Sequence, residues 1–236
     1  MMKRILAFDF GASSGRAMIG TYNGDTISLE EIHRFSNDPV IVNGVMYWDV
    51  LRLFFEIKQG IIKAKHAGGF DSIGHPDIDT IGIDTWGVDF GLLDKEGRLL
   101  ENPIHYRDKR TDGMMEDSFK QIDRERFYEL TGTQFNFFNT VFQLRSLVKQ
   151  RPELLERTDK LLLTPDLFIY FLTGEKHTEY SMATTTQLLD AKNRTWSAEV
   201  LESLGIPGRI LTDIVPSGTV VGTLSDEICE ELGVPA

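Results

Sequence analysis

The sequence is short of cysteine and of positive charge. Cys229 is the one cysteine in 236 residues, so no intrachain disulfide framework and no CxxC metal site can form. A reducing compartment is expected. Lys and Arg number 25 against 36 Asp and Glu, a net charge of −11. A nucleic-acid-binding face needs clustered cations, so that class is set aside. A phosphate-bearing ligand is not excluded, because backbone N–H groups and a bound metal can handle anionic charge locally. No apolar run reaches the ~18 residues of a membrane span. The basic-then-apolar start MMKRILAF is interrupted by Asp9, too early for a signal peptide. The expectation is a soluble, cytoplasmic protein.

Several common signatures are missing as well. There is no GK[ST] of a P-loop, no GxGxxG and no GxSxG elbow. The histidines His33, His66, His75, His105 and His177 do not pair at metal-ligand spacing. No internal repeat and no low-complexity segment is present. What remains is an ordinary globular composition, 41% hydrophobic, able to bury a core.

The first ninety-odd residues read as strand, strand, strand, helix, strand, strand. Arg4–Phe10, Gly15–Tyr22 and Thr26–Phe35 are strand-like, with a turn signal at Asn23-Gly24-Asp25, and predict an antiparallel meander. Asp49–His66 has apolar residues at helical spacing, an N-cap aspartate, and Gly68-Gly69 to end it. Ile78–Ile83 and Val88–Leu93 resemble buried strands. Thereafter helices are expected over Asp123–Leu130, Asn139–Lys149, Pro152–Thr158, Asp166–Leu172, Trp196–Leu204 and Ser225–Leu232, with a short strand at Leu161–Leu163. Ala183–Gln187 reads as a hydroxyl-rich loop.

Chemistry concentrates in a few stretches. In DFGASSGR, Gly11 and Gly15 bracket Ala12, Ser13 and Ser14 beside Asp9 and Arg16. Such a turn can present N–H and hydroxyl donors to a phosphate while Asp9 holds a hard cation through water; a hairpin turn with a satisfied acid is the equally weighted alternative. In IGIDTWGVDF, Thr85, Trp86 and Gly87 lie between two apolar runs, where a glycine permits close approach and a tryptophan can stack on a sugar ring. The competing reading is a strand turn with Trp86 as core. HYRDKRTDG, which carries Asp108 and Arg110, reads in isolation as a solvated charge run. In FNTVFQLRSL, Phe142 and Leu147 are core candidates, and Gln143 and Arg145 either line a cleft or meet solvent.

The order of these stretches is more specific than any one of them. DFGASSGR, EIHRF, IDTWGVDF, YRDKRT, FNTVFQLR and ATTTQL, in that sequence, resemble the FGGY carbohydrate kinases, over essentially the whole chain. The resemblance implies an α/β, actin-like ATPase (ribonuclease H-like) fold with a mixed central sheet and flanking helices. It implies phosphorylation of a sugar by ATP with Mg²⁺; the wording is closest to kinases of L-rhamnulose acting on its 1-hydroxyl. Ala12, Ser13, Ser14, Gly15 and Arg16 then match the ATP-phosphate turn, and Asp9 the acid near the metal. Thr85, Trp86 and Gly87 match the sugar-binding junction, with Asp108 and Arg110 near it. A kinase for L-fuculose or L-xylulose, and a non-catalytic actin-like nucleotide-binding module, are the alternatives.

One departure stands out. The family's general base is an aspartate in a His-Asp-Thr-like motif beyond the interdomain connection, and this sequence has none. The resemblance therefore implies that residues 1–236 are the N-terminal, sugar-side domain, with 205–236 leading toward that connection. It also implies that the second, ATP-side domain lies outside this chain. By itself the chain is expected not to turn over.

Overall fold

The structure, a computed structural model, describes residues 2–69 and 78–235; His75 lies outside them. The expected meander is present: β1 (Lys3–Phe10), β2 (Ser14–Tyr22) and β3 (Ile27–Ser36) pair antiparallel in sequence order. The Asn23 side chain closes the second turn by accepting from the N–H groups of Asp25 and Thr26 at 3.0 and 2.9 Å. A second hairpin, β4 (Val40–Val42) and β5 (Val45–Tyr47), was not anticipated. Its turn residues Asn43 and Gly44 have φ of 51° and 81°, the backbone that matches strand twist in two-residue hairpins.

Asp49 caps α1 (Val50–Ala64) by accepting from Arg52 N–H, and the helix loosens into a π turn over Lys65–Gly69. β6 (Thr80–Asp84) then pairs parallel with β1, giving the mixed sheet β3-β2-β1-β6. β7 (Phe90–Leu93) leaves that sheet and pairs antiparallel with β8 (Lys160–Leu163). The helices between and after them are α2 (Met114–Ser118), α3 (Arg124–Thr131), α4 (Thr140–Gln150), α5 (Pro152–Arg157) and α6 (Thr164–Thr173). There follow β9 (Thr178–Glu179), α7 (Tyr180–Thr185), β10 (Leu189–Asp190), β11 (Thr195–Trp196) and α8 (Ala198–Leu204). β12 (Ile214–Val215) and α9 (Asp226–Leu232) complete the fold.

Two expectations are corrected. Ala183–Thr185 is helical, not loop, because Glu179 caps α7 by accepting from Met182 N–H. Trp196 is in a strand, and α8 begins only after Ser197, whose hydroxyl accepts from Val200 N–H.

Leu6, Phe8 and Phe10 alternate along β1 and are all buried, the period-2 pattern of a strand with one face on the core. They pack with Leu53, Ile57 and Ile61 of α1 and Leu167 and Phe168 of α6 in one apolar cluster, Phe10 stacking on Phe168 at 5.2 Å. A side chain at Gly60 would lie 2.5 Å from the Phe8 ring, so the glycine lets α1 sit close on the sheet. A second cluster gathers around Val141, Phe142, Leu144 and Leu147 of α4. Phe142 and Leu147 are core, as expected. No helix among the described residues is long and apolar enough to cross a membrane.

Candidate active site

β1 and β6 run in the same direction, with Asp9 opposite Asp84. The segments that leave their C-terminal ends therefore emerge side by side, which is where open α/β sheets place ligands. One is the turn after Phe10; the other is Thr85–Gly87. Two stretches 75 residues apart thus meet, and Asp84, one of the two aspartates that flank Gly87 in the sequence, joins Asp9 as a second carboxylate.

The turn is tighter than expected. β2 begins at Ser14, so Ser14, Gly15 and Arg16 belong to the strand and Gly11, Ala12 and Ser13 form the turn proper. Gly11 N–H donates to Ser14 O at 2.8 Å. Buried Asn37, unforeseen in the sequence, ties the turn down: its N–H donates to Ser13 O at 3.0 Å and its amide to Gly11 O at 2.8 Å. Gly15 is required not by its φ but by its neighbour, since a Cβ there would fall 2.3 Å from the Phe35 ring. Arg16, opposite Asp9 in the ladder, donates to Asp9 Oδ2 from Nε at 2.9 Å and Nη2 at 2.7 Å. Both side chains are nearly half exposed, so the pair adds little stability and both groups face solvent at the sheet end.

The second segment is more deeply built. Thr85 Oγ1 donates to Trp86 O at 2.8 Å, and the half-buried Trp86 ring lies 4.1 Å from that of buried Trp48. Gly87 sits against Thr185: a Cβ would be 3.1 Å from its hydroxyl. Val88 has φ +71°, a conformation that costs a β-branched residue ~1–3 kcal/mol and persists only where surroundings dictate it. They do so here. Val88 N–H donates to Thr185 Oγ1 at 3.2 Å, and Val88 O accepts from Thr140 Oγ1 at 2.7 Å and Gln143 Nε2 at 3.2 Å. The threonine cluster near residue 185 thus clamps the Gly87 turn.

Beneath lies Asp89, fully buried at 0% exposure. Its Oδ2 accepts from Trp48 Nε1 at 2.6 Å, Trp86 Nε1 at 3.0 Å and Tyr106 N–H at 3.3 Å; Oδ1 accepts from Gln143 Nε2 at 3.0 Å. Burial pushes its carboxyl up to about 6 despite these donors. Buried Gln143 takes Arg110 Nη2 on its Oε1, so a chain of donors runs from Arg110 through Gln143 to Asp89. The amide orientation follows, because Arg110 can only donate and the carboxylate can only accept. Gln143 is therefore neither solvated nor lining a cleft.

Asp108 and Arg110 take inward roles. Asp108 Oδ2 accepts from Met46 N–H at 3.0 Å, anchoring the β4–β5 hairpin, and its Oδ1 caps the turn at Arg110 N–H, 2.9 Å. Burial lowers Arg110 to about 10, leaving it cationic at neutral pH. His105 stacks on Trp48 at 4.0 Å and accepts from Arg107 N–H on Nδ1, and burial with the Arg107 charge lowers it to about 4. It is a neutral imidazole protonated on Nε2. Arg145 caps α8 instead of lining a cleft, donating to Leu204 O at 2.9 Å and to Asp117 Oδ2 at 2.7 Å. Asp89 carried one sequence signal: an acid inside an otherwise apolar run, VDFGLL, is costly unless fully partnered.

Comparison with known proteins matches residues 4–236 to the FGGY family of carbohydrate kinases, N-terminal domain. The chain is 44% identical over 229 residues to a rhamnulokinase of Oceanobacillus iheyensis, covering 97% of this chain and 47% of that protein. It is 39% identical over 236 residues to a rhamnulokinase of Bacteroides thetaiotaomicron, covering 100% and 47%. Among solved structures, a gluconate kinase from Lactobacillus acidophilus superposes with a TM-score of 0.85 at 21% identity, covering 100% of this chain and 46% of that one. Glycerol kinase of Plasmodium falciparum with ADP superposes at 0.78 and 19% identity, covering 98% and 46%. The chain spans about half the length of the curated relatives it matches.

Proposed function

The chain belongs to the FGGY family of carbohydrate kinases, as a match to its N-terminal domain, and from that premise we propose that it supplies the sugar and phosphate-turn half of a kinase that transfers the γ-phosphoryl of ATP to the 1-hydroxyl of L-rhamnulose. One observation carries the reading. The parallel pairing of β1 and β6 puts the Asp9–Arg16 turn beside Thr85–Gly87 at one end of the sheet.

Phosphoryl transfer needs positioning and charge neutralisation more than covalent chemistry. With the Gly11 N–H committed to Ser14 O, the turn offers the N–H groups of Ala12 and Ser13 and the Ser13 hydroxyl to phosphate oxygens, and Arg16 adds a cation. Asp9 and Asp84 present carboxylate oxygens, the donor type that suits Mg²⁺; the ion, when bound, neutralises phosphate charge. Trp86 and the bare Gly87 backbone form a wall on which a sugar ring can stack closely. Asp108 and Arg110 act from behind this wall, not by touching the sugar. The general base and the adenosine site belong to the second domain, for which residues 205–236 lead the way. A cytoplasmic location fits such a kinase.

Isothermal titration of the chain with L-rhamnulose, against L-fuculose and L-xylulose, tests the substrate. Selective binding of L-rhamnulose, even at millimolar strength, is the expected result. Tighter binding of either other ketose overturns the choice of substrate. Indifference to all three overturns the sugar reading and favours the nucleotide-binding module.

A further inference from the structure

Trp86 is the tryptophan of this wall that a ligand can reach, and its ring is not held by packing alone. Its indole N–H ends on Asp89 Oδ2, the oxygen that also takes the indole N–H of Trp48. The two rings lie 4.1 Å apart with 32° between their planes, a pair fixed at its polar ends by one carboxylate. Asp89 has no exposed surface, and its second oxygen is held by Gln143, itself fully buried and oriented by Arg110. Its backbone C=O is fixed too, accepting from Thr164 N–H and Thr164 Oγ1, both at 3.1 Å. Asp89 thus joins the strand after the Gly87 turn to α1's leading segment, to the 104–108 loop and to α4 through its carboxylate, and to α6 through its backbone C=O. An ionised carboxylate has about four acceptor sites; this one takes four donors, two of them from the wall.

We propose that Asp89 is a positioning residue for sugar binding: by holding the indole N–H groups of Trp48 and Trp86 on one oxygen, it sets the angle at which the Trp86 ring meets the sugar. The inference rests on the sugar-binding reading above and adds a residue that touches no substrate.

The test has a ligand-free arm and a binding arm. In ¹H–¹⁵N spectra of the chain, Asp89→Asn moves the indole signals of Trp48 and Trp86 and leaves that of Trp196. Trp196 donates to Thr212 O at 2.8 Å and so reports on intact folding. Unmoved Trp48 and Trp86 signals overturn the proposal. Should Asp89→Asn also lose the Trp196 signal, a pH titration of the wild-type chain decides instead. Arg110 is the charged group acting on Asp89 and stays cationic throughout, and His105, stacked on Trp48, takes its proton only near 4, so the titration is read above pH 5. The Trp48 and Trp86 signals then shift together with a midpoint near 6, and separate or absent shifts overturn the proposal.

In the binding arm, Asp89→Asn and Trp86→Phe each weaken L-rhamnulose binding about tenfold, the scale of one hydrogen bond to a charged group. The double variant is no weaker than the weaker single, because both remove the same restraint. Multiplying effects, or an Asp89→Asn chain that binds like wild type, overturn the proposal. If the wild-type chain binds no ketose, the substrate reading falls, and the indole signals alone decide what Asp89 holds.

Discussion

Asp166 sits in the first turn of α6 with Oδ1 accepting from Glu179 N–H at 3.1 Å and lying 3.4 Å from His177 Nε2. Its Oδ2 and His177 Nδ1 are buried without a protein partner. Burial pushes the acid up to about 7, with the Glu179 charge adding, and burial pulls His177 down. The sign follows directly. An acid whose folded pKa is raised stabilises fully below its unfolded value, 3.8, and that contribution is lost as pH rises through the folded value. His177 runs the other way, its contribution falling as pH drops below its unfolded 6.5. Asp166→Asn mimics the protonated acid and removes only the first effect. Its stability relative to wild type therefore increases between pH 4 and 7 and is level above 7. The upper bound, from a rise from 3.8 to about 7, is about 4 kcal/mol at ~1.4 per unit. Urea unfolding at pH 4, 5.5 and 7 measures it, and a difference independent of pH would refute the assignment.

At the scale of elements, α1 and the Gly11–Ser13 turn carry the clearest expectations. Gly60 faces Phe8 and Ala17 with no room for a methyl group. Ala is favoured over Gly in a helix by ~1 kcal/mol, but overpacking a core costs ~1–3 kcal/mol. Gly60→Ala therefore lowers the thermal midpoint, whereas Gln59→Ala in the same helix does not. An unchanged midpoint for Gly60→Ala would show that α1 shifts on the sheet at no cost. Asn37→Ala strips two partners from the Gly11–Ser13 turn, proposed above to meet phosphate, and leaves it to open. In a protein that carries the ATP-side domain as well, MgATP binding falls by about tenfold, the scale of a lost buried hydrogen-bonding residue, while the far-ultraviolet spectrum is retained. Equal binding in calorimetry would mean that the turn holds itself. Asn37 was invisible in the sequence because its partners are backbone atoms of a turn 24 or more residues earlier. The Asn43-Gly44 hairpin, by contrast, was legible in VIVNGVMY and was missed there.

At the scale of the molecule, β6 is an edge strand among the described residues, paired there only with β1. A groove of about 530 Å³ runs beside it, its lining including Ile81, Ile83, Val220, Val221, Leu224 and Pro235. Edge strands present unpaired N–H and C=O groups, so β6 amides exchange faster than those of β1, which is paired on both sides. Hydrogen exchange by mass spectrometry measures this. Equal protection would mean that another strand or a second copy covers the edge in solution. The same edge sets the direction of the site. Because β6 is parallel to β1, the two chemistry-bearing turns leave on one side, and an antiparallel β6 would have put them at opposite ends of the sheet.

The sequence by itself determined the elements whose signals are local. Alternation in β1, the helical spacing after Asp49, and the caps at Asp49, Asp123 and Ser225 all act within a few residues of chain. The order of its motifs also determined the family, and with it the residues at the sheet end. Tertiary structure alone decided what those residues do. Arg110 and Asp108 are inward braces, not solvated charges, and Gln143 is a buried relay. Asp84 stands beside Asp9, and Asp89 gathers donors from segments between 3 and 75 positions away. Hydrogen bonds of that kind depend on which strands become neighbours, and burial rather than residue type sets their strength. Neither quantity is carried by any window of sequence short enough to read locally.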